Sequence, residues 1–349
     1  MNPEPFRIEP TFVPRIWGAR SLAPLFPEKS NLPEPIGEAW LTGLDCRIPN
    51  GPFAERSLGQ AWKEMTVGWR GSTFEGEADF PLLLKFIFPA DKLSIQVHPD
   101  DAYAAAHEKA AGGRGKTEMW HVVSAEPGAR LLAGLVPGVT KEGFLAALAD
   151  HTLEDLFQSH EAHTGDTFFI PAGTPHTIGP NMVICEVQEY SDLTYRIYDY
   201  DRRDANGKPR ELHIEKALEV MNFQSTADAR VRPRPLLIRN KKLWEELVVC
   251  PYFDTLRFDF EEPIHMSADK PNEQFSLWVF LEGEGNIGWS SPHHGMFGKS
   301  YSGQFTYKRG ECWFVPAEFA SRGYYPERRT SVLMASPGNP KRNLAKDGT

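Results

Sequence analysis

Gly165-Asp-Thr-Phe-Phe-Ile-Pro171-Ala-Gly-Thr-Pro-His176 reads as a short strand entered by a glycine turn, left at a proline, and followed five residues later by a histidine. The same frame returns as Gly310-Glu-Cys-Trp-Phe-Val-Pro316, where Ser321 stands in place of the histidine. Two related halves are expected on this echo, the second without a metal-binding histidine at that position. The 29 Gly and 29 Pro punctuate short apolar runs throughout the chain. That pattern predicts a mainly β protein, a sandwich or barrel made of many short strands.

Helical patterning is confined to 101–111, 141–158 and 214–222, with Asp100 or Asp101 and Thr140 as N-caps of the first two. The polar, then Arg- and Pro-rich stretch 226–242 is read as a linker. The expected division is therefore a first unit, 1–225, with a small helical insertion, and a second, 243–349.

With 38 Lys plus Arg against 47 Asp plus Glu, the net charge of -9 argues against nucleic acid or an anionic membrane as partner, and leaves room for a small anion bound by local cations. Cys46, Cys185, Cys250 and Cys312 form no C-x-x-C pair. Neither a thiolate metal site nor a disulfide framework is expected, and a reducing cytoplasm fits best. No apolar leader and no run of about 18 apolar residues is seen.

Leu93-Ser94-Ile95-Gln96-Val97-His98-Pro99 sets Gln96 and His98 two apart on a strand, hence on one face. Glu118 opens the next apolar run. Gln96, His98, Glu118 and His176 together would make a divalent metal site, and an amide oxygen, a carboxylate and two imidazoles suit zinc best. Lys116 is two residues from Glu118 and shares its face. The Gly112-Gly113-Arg114-Gly115-Lys116-Thr117 stretch is no phosphate loop, because Ala110 stands where its first glycine is required and the local order is helix, loop, strand. His107, His151, His160, His163, His213 and the His293-His294 pair lack a comparable frame and read as non-catalytic.

The tract Glu186 to Arg202 gathers acids, arginines and tyrosines beyond His176. Four motifs, at 93–101, 115–120, 170–179 and 192–202, occur in an order that resembles the type I mannose-6-phosphate isomerases, in their short bacterial form, of the cupin superfamily. Arg15-Ile-Trp17-Gly18 and Ile36-Gly-Glu38-Ala-Trp40 resemble the same family, so the likeness spans about residues 6–225. The resemblance implies two cupin (jelly-roll) domains, the second degenerate, with Glu318 and Ser321 where a metal-binding cupin has Gly and His. It implies one zinc per chain on Gln96, His98, Glu118 and His176. It further implies that Arg196 and Asp192 line the active site, that Lys116 points into it, and that Ser94 and Arg202 fall at positions contacting substrate phosphate.

The expected activity is aldose–ketose isomerisation of mannose 6-phosphate and fructose 6-phosphate through an enediolate, with Arg196 supplying fixed positive charge and Lys116 and Asp192 as candidates for proton transfer and ring opening. The alternatives are an isomerase of another sugar or sugar phosphate, a non-catalytic sugar-responsive cupin with structural zinc, and a metal-dependent oxygenase.

Overall fold

The computed structural model describes all residues except 1, 75–77, 205, 225–226, 239–240, 267–272, 291–301, 320 and 339–349. The His293-His294 pair lies outside the described residues. Short strands dominate, as the Gly/Pro punctuation predicts. The first twelve are β1 (Phe6–Ile8), β2 (Thr11–Ala19), β3 (Ile36–Trp40), β4 (Leu82–Ile87), β5 (Ile95–Val97), β6 (Glu118–Ala125), β7 (Arg130–Leu135), β8 (Phe157–Glu161), β9 (Thr167–Ile170), β10 (His176–Ile178), β11 (Met182–Glu189) and β12 (Tyr195–Tyr198). Ten more follow: β13 (Arg234–Ile238), β14 (Lys241–Val249), β15 (Phe253–Phe260), β16 (Ile264–Met266), β17 (Ser276–Glu282), β18 (Glu284–Ser290), β19 (Ser302–Lys308), β20 (Cys312–Val315), β21 (Ser321–Pro326) and β22 (Thr330–Pro337). Of the stretch read as a linker, residues 234–238 are strand β13 and β14 starts at Lys241.

Among the described residues the strands form four sheets. One sheet runs β2-β3-β4-β11-β6-β9 and faces β12-β5-β10-β7-β8; the other pair is β13-β14-β15-β22-β17-β20-β1 facing β16-β21-β18-β19. Leaving aside β1 and β12, the two pairs share one strand order, so β9 corresponds to β20 and β10 to β21. The repeat heard in Gly165…Pro171 and Gly310…Pro316 thus extends over ten strands. Gly165 and Gly310 enter β9 and β20 at φ of 92° and 86°, where a side chain would be strained. The sheets of each pair face one another as an open sandwich and do not close into barrels.

Alternation along the strands decides what lies between the sheets. From β4 and β11, Leu84, Phe86, Cys185 and Val187 point to the back of the six-stranded sheet and pack with Leu277, Val279, Phe314 and Leu333 of the seven-stranded sheet in the largest core. Their neighbours Lys85, Ile87, Ile184 and Glu186 therefore face the interior of the first sandwich. The second sandwich is filled instead by aromatic side chains, among them Trp244, Phe258, Trp278, Phe305, Trp313 and Tyr324. The first strand of the chain, β1, pairs with β20 of the second half, and the Phe6 ring stacks on Phe314 at 4.9 Å.

Among the described residues, five short helices decorate the sheets: α1 (Leu58–Glu64), α2 (Val67–Arg70), α3 (Asp101–His107), α4 (Lys141–Ala149) and α5 (Ile214–Val220). Asp100 and Thr140 cap α3 and α4 through the N–H groups of Tyr103 and Gly143. The helix expected over 141–158 stops at Ala149. His151 takes a φ of 56°, a single 3-10 turn covers 153–156, and Phe157 and Gln158 already belong to β8. Helix α1 escaped the hydrophobic pattern, although Ser57 and Gln60 form a reciprocal capping box that is visible as S-x-x-Q. No helix among the described residues is long and apolar enough to cross a membrane.

Candidate metal centre

Strand pairing places two rows of side chains face to face. On the five-stranded sheet Gln96 lies opposite His176 of β10 on one side and Arg196 of β12 on the other. Directly opposed residues share a face, so these three side chains align. On the six-stranded sheet the row is Trp40, Lys85, Glu186 and Trp120. Glu118 opens β6 in this second sheet, while His98 directly follows β5 in the first.

His98, Glu118 and His176 offer ligand atoms that all lie within 4.8 Å of one another. Each imidazole is oriented from behind, since Nδ1 of His98 lies 2.8 Å from the Leu193 carbonyl and Nδ1 of His176 lies 2.9 Å from that of Thr174. A ring that donates through Nδ1 presents a bare Nε2 lone pair, the form that ligates metal. The two Nε2 atoms are 3.7 and 3.3 Å from the Glu118 carboxylate. The amide of Gln96 reaches to 3.2 Å from His176 Nε2, and Ser94 Oγ donates to its oxygen at 3.3 Å.

Burial keeps both imidazoles neutral, lowering His98 and bringing His176 down to about 3. Burial opposes the charge on Glu118, but the Lys116 ammonium holds its carboxyl well below the usual range. Lys116 itself lies 3.1 Å from His98 Nε2 and donates to Glu118 Oε2. Glu118 Oε1 is buried without a hydrogen-bond partner. The orphaned Oε1, close to His176 Nε2, and the Oε2 near His98 Nε2 give a carboxylate and two imidazole nitrogens converging on one point, a donor set that fits a divalent cation.

The centre opens into a cavity of about 450 Å³ between the sheets, lined by Arg15, Trp17, Glu38, Lys85, Ser94, Gln96, Lys116, Trp120, Glu186, Asp192, Arg196 and Arg210 among others. Lys85 is wholly buried, with Nζ 3.0 Å from Asp192 Oδ1, 3.8 Å from Glu186 Oε1 and 4.9 Å from the centre of the Trp40 ring. Burial opposes its charge, yet Asp192, Glu38 and Glu186 hold it above the usual lysine range. Burial and the Glu118 carboxylate push Glu186 up to about 7. Burial likewise opposes the charge of Asp192, but the Lys85 and Lys116 ammoniums hold its carboxyl below normal.

Among the residues singled out in the sequence, Gln96, His98, Glu118, His176, Lys116, Asp192, Ser94 and Arg196 are brought together. Arg202 is not on the cavity wall: its guanidinium turns to the carbonyls of Asp199 and Lys92 and to the Asp199 carboxylate. Sequence reading missed Lys85, Glu186 and Arg210 as site residues and left Arg15 without a role. A single Lys inside Pro81-Leu-Leu-Leu-Lys85-Phe-Ile87 was the available signal, because a charge in so apolar a strand must be paired. His213 acts at one remove, its Nδ1 accepting from the Arg196 N–H at 3.2 Å.

Comparison with known proteins agrees with this geometry. The family described as phosphomannose isomerase type I, catalytic domain, matches residues 6–121. The mannose-6-phosphate isomerase ManA of Bacillus subtilis is 31% identical over 334 residues, covering 93% of this chain and 98% of the relative. Among solved structures, the mannose 6-phosphate isomerase of Bacillus subtilis superposes with a TM-score of 0.81 at 27% identity, covering 95% of this chain and 99% of its own. A mannose 6-phosphate isomerase bound with zinc and yttrium shares the fold, with a TM-score of 0.68 at 15% identity, over 96% of this chain and 99% of its own. The full-length likeness, laid over a cavity whose polar rows come from both sheets, shows that the chain belongs to the type I mannose-6-phosphate isomerase family.

Proposed function

We propose that the cavity interconverts mannose 6-phosphate and fructose 6-phosphate by moving a proton between C1 and C2 through an enediolate, with one zinc per chain held by Gln96, His98, Glu118 and His176. The observation that carries this reading is the buried Glu118 carboxylate, its Oε1 orphaned, set between the Nε2 atoms of His98 and His176 beside a cavity rich in both acids and cations. The zinc bound to a protein of the same fold supports the choice of metal. When bound, zinc supplies Lewis acidity to substrate oxygens.

The chain's own groups account for the rest. Arg196, aligned with Gln96 across the sheet, offers fixed positive charge to the oxygen that becomes negative in the enediolate. Asp192 and Lys116 remain the candidates for ring opening and proton transfer. Lys85 and Glu186 join them, since a carboxyl poised near 7 can both take and return a proton at neutral pH. Trp120 donates to Glu186 Oε2 at 3.0 Å and fixes its orientation. Ser94, in the cavity wall, is placed to contact substrate, whereas Arg202 acts from behind Asp199.

A coupled assay of purified protein converting mannose 6-phosphate into fructose 6-phosphate tests the reading. Turnover should be suppressed by a chelator and restored by added zinc. Absence of turnover in the zinc-loaded protein would overturn it.

A further inference from the structure

We infer that the phosphate monoester of the substrate is held by Arg15 and Arg210, beside the Arg196 that serves the enediolate, and that Asp199 is the positioning residue that aims Arg210 into the cavity. The inference rests on the isomerase reading and assigns the residues that select a phosphorylated sugar.

The three guanidiniums reach the cavity wall from separate segments, Arg15 from β2, Arg196 from β12 and Arg210 from the loop before α5. Each is anchored by part of its donor set. Arg210 gives Nε and Nη2 to the Asp199 carboxylate, the Nε bond at 2.8 Å, and its Nη1 has no partner among the described residues. Arg15 gives Nη2 to Glu38 Oε2 at 2.8 Å, leaving Nε and Nη1 without partners among the described residues. Arg196 gives Nη1 to the Glu211 carbonyl at 2.8 Å, and its Nε is buried with no partner. Planar N–H edges held in place by a carboxylate or carbonyl behind them suit a tetrahedral oxyanion, which accepts from several donors at once.

Electrostatics point the same way. Burial and the nearby Arg210, Arg202 and Arg15 lower Arg196 below the usual arginine range, so like charges crowd at this wall. Asp199 does not neutralise them alone, because Arg202 and Arg210 share it. A bound dianion would relieve the repulsion. Arg202, turned to Asp199, contributes by holding the carboxylate that holds Arg210.

Two measurements on the full-length protein test this. Calorimetry with inorganic phosphate as probe should show binding to the wild type, weakened about tenfold or more in Arg210→Met and in Arg15→Met. The ratio of kcat/KM for mannose 6-phosphate to that for free mannose should fall by a similar factor. Arg210→Lys should recover part of the loss, and Asp199→Asn should raise KM for the phosphorylated sugar more than it lowers kcat. Arg202→Met should act more weakly than Arg210→Met. Undiminished phosphate binding in both methionine variants, or a larger loss in Arg202→Met than in Arg210→Met, overturns the inference. A wild type that binds phosphate through Arg210 but turns over no mannose 6-phosphate would keep the anion site and remove the isomerase reading instead.

Discussion

Lys85 Nζ lies 3.0 Å from Asp192 Oδ1 although the lysine side chain is only 2% exposed, while half of the Asp192 side chain remains open to solvent. The pair thus joins the sandwich interior to the cavity mouth, with Glu186 on the inner side. Lys85→Met should lower kcat by roughly 10² or more if the ammonium works on the reacting sugar. It should also move the acid limb of the kcat/KM profile to higher pH, because the Lys85 charge holds the Glu186 carboxyl down and its loss lets burial and Glu118 push it above about 7. Rates between pH 5 and 9 are the measurement. A profile that keeps its shape at reduced height would leave Lys85 a structural role only.

Metal content and activity should fall together when the centre is cut. His98→Ala, His176→Ala and Glu118→Ala are each expected to lose zinc by elemental analysis and to lose turnover, from a starting value of about one zinc per chain. Zinc content should decline at acid pH as protons compete for the imidazoles. Burial lowers His176 to about 3, so that decline should begin below the usual histidine range. Full activity in either histidine variant would remove the assignment.

The second sandwich carries Ser321 at the start of β21, the counterpart of His176 at the start of β10. Ser321→Ala should leave zinc content and turnover nearly unchanged. Loss of metal in that variant would point to a second binding position in the later half.

Glu189 offers a stability test away from the reacting atoms. Burial and the Asp101 carboxylate push it up from 4.5 to about 8, while the Thr117 N–H donates to its Oε1 at 2.7 Å. The folded state then binds one more proton than the unfolded chain between these values. Stability from this group is fully present below pH 4.5 and is lost as pH rises through 8. Glu189→Gln keeps the acceptor and cannot ionise, so it should gain Tm over wild type at pH 9 relative to pH 6, by roughly 2–4 °C. An equal Tm difference at both values would mean that the carboxyl is not neutral in the folded protein.

Local patterning carried much of this molecule. Gln96 and His98 share a face because strands alternate, and the Gly165 and Gly310 frames mark equivalent strands of a ten-strand repeat. What remained hidden depends on pairing between distant segments. The opposition of Lys85 and Glu186 requires the register of β4 on β11, which no local signal states. The turn of Arg202 toward Asp199 and the arrival of Arg210 at the cavity depend on how the loop after β12 folds back. The end of α4 was missed for another reason: His151 adopts a left-handed backbone within a stretch whose apolar spacing still reads as helical.

The place of β1 bears on how the chain is made. Its partner β20 lies about 300 residues further on, so at synthesis rates of roughly 5–20 residues per second the two meet only some 15–60 s after β1 leaves the ribosome. Throughout that interval β1 has no sheet to join, and it rests only on the nearby segment where Phe6 meets Phe53 and Trp69 and the Arg7 N–H donates to Asn50. The pairing then draws the beginning of the chain toward its end, and it seats the strand immediately before the one that carries Arg15.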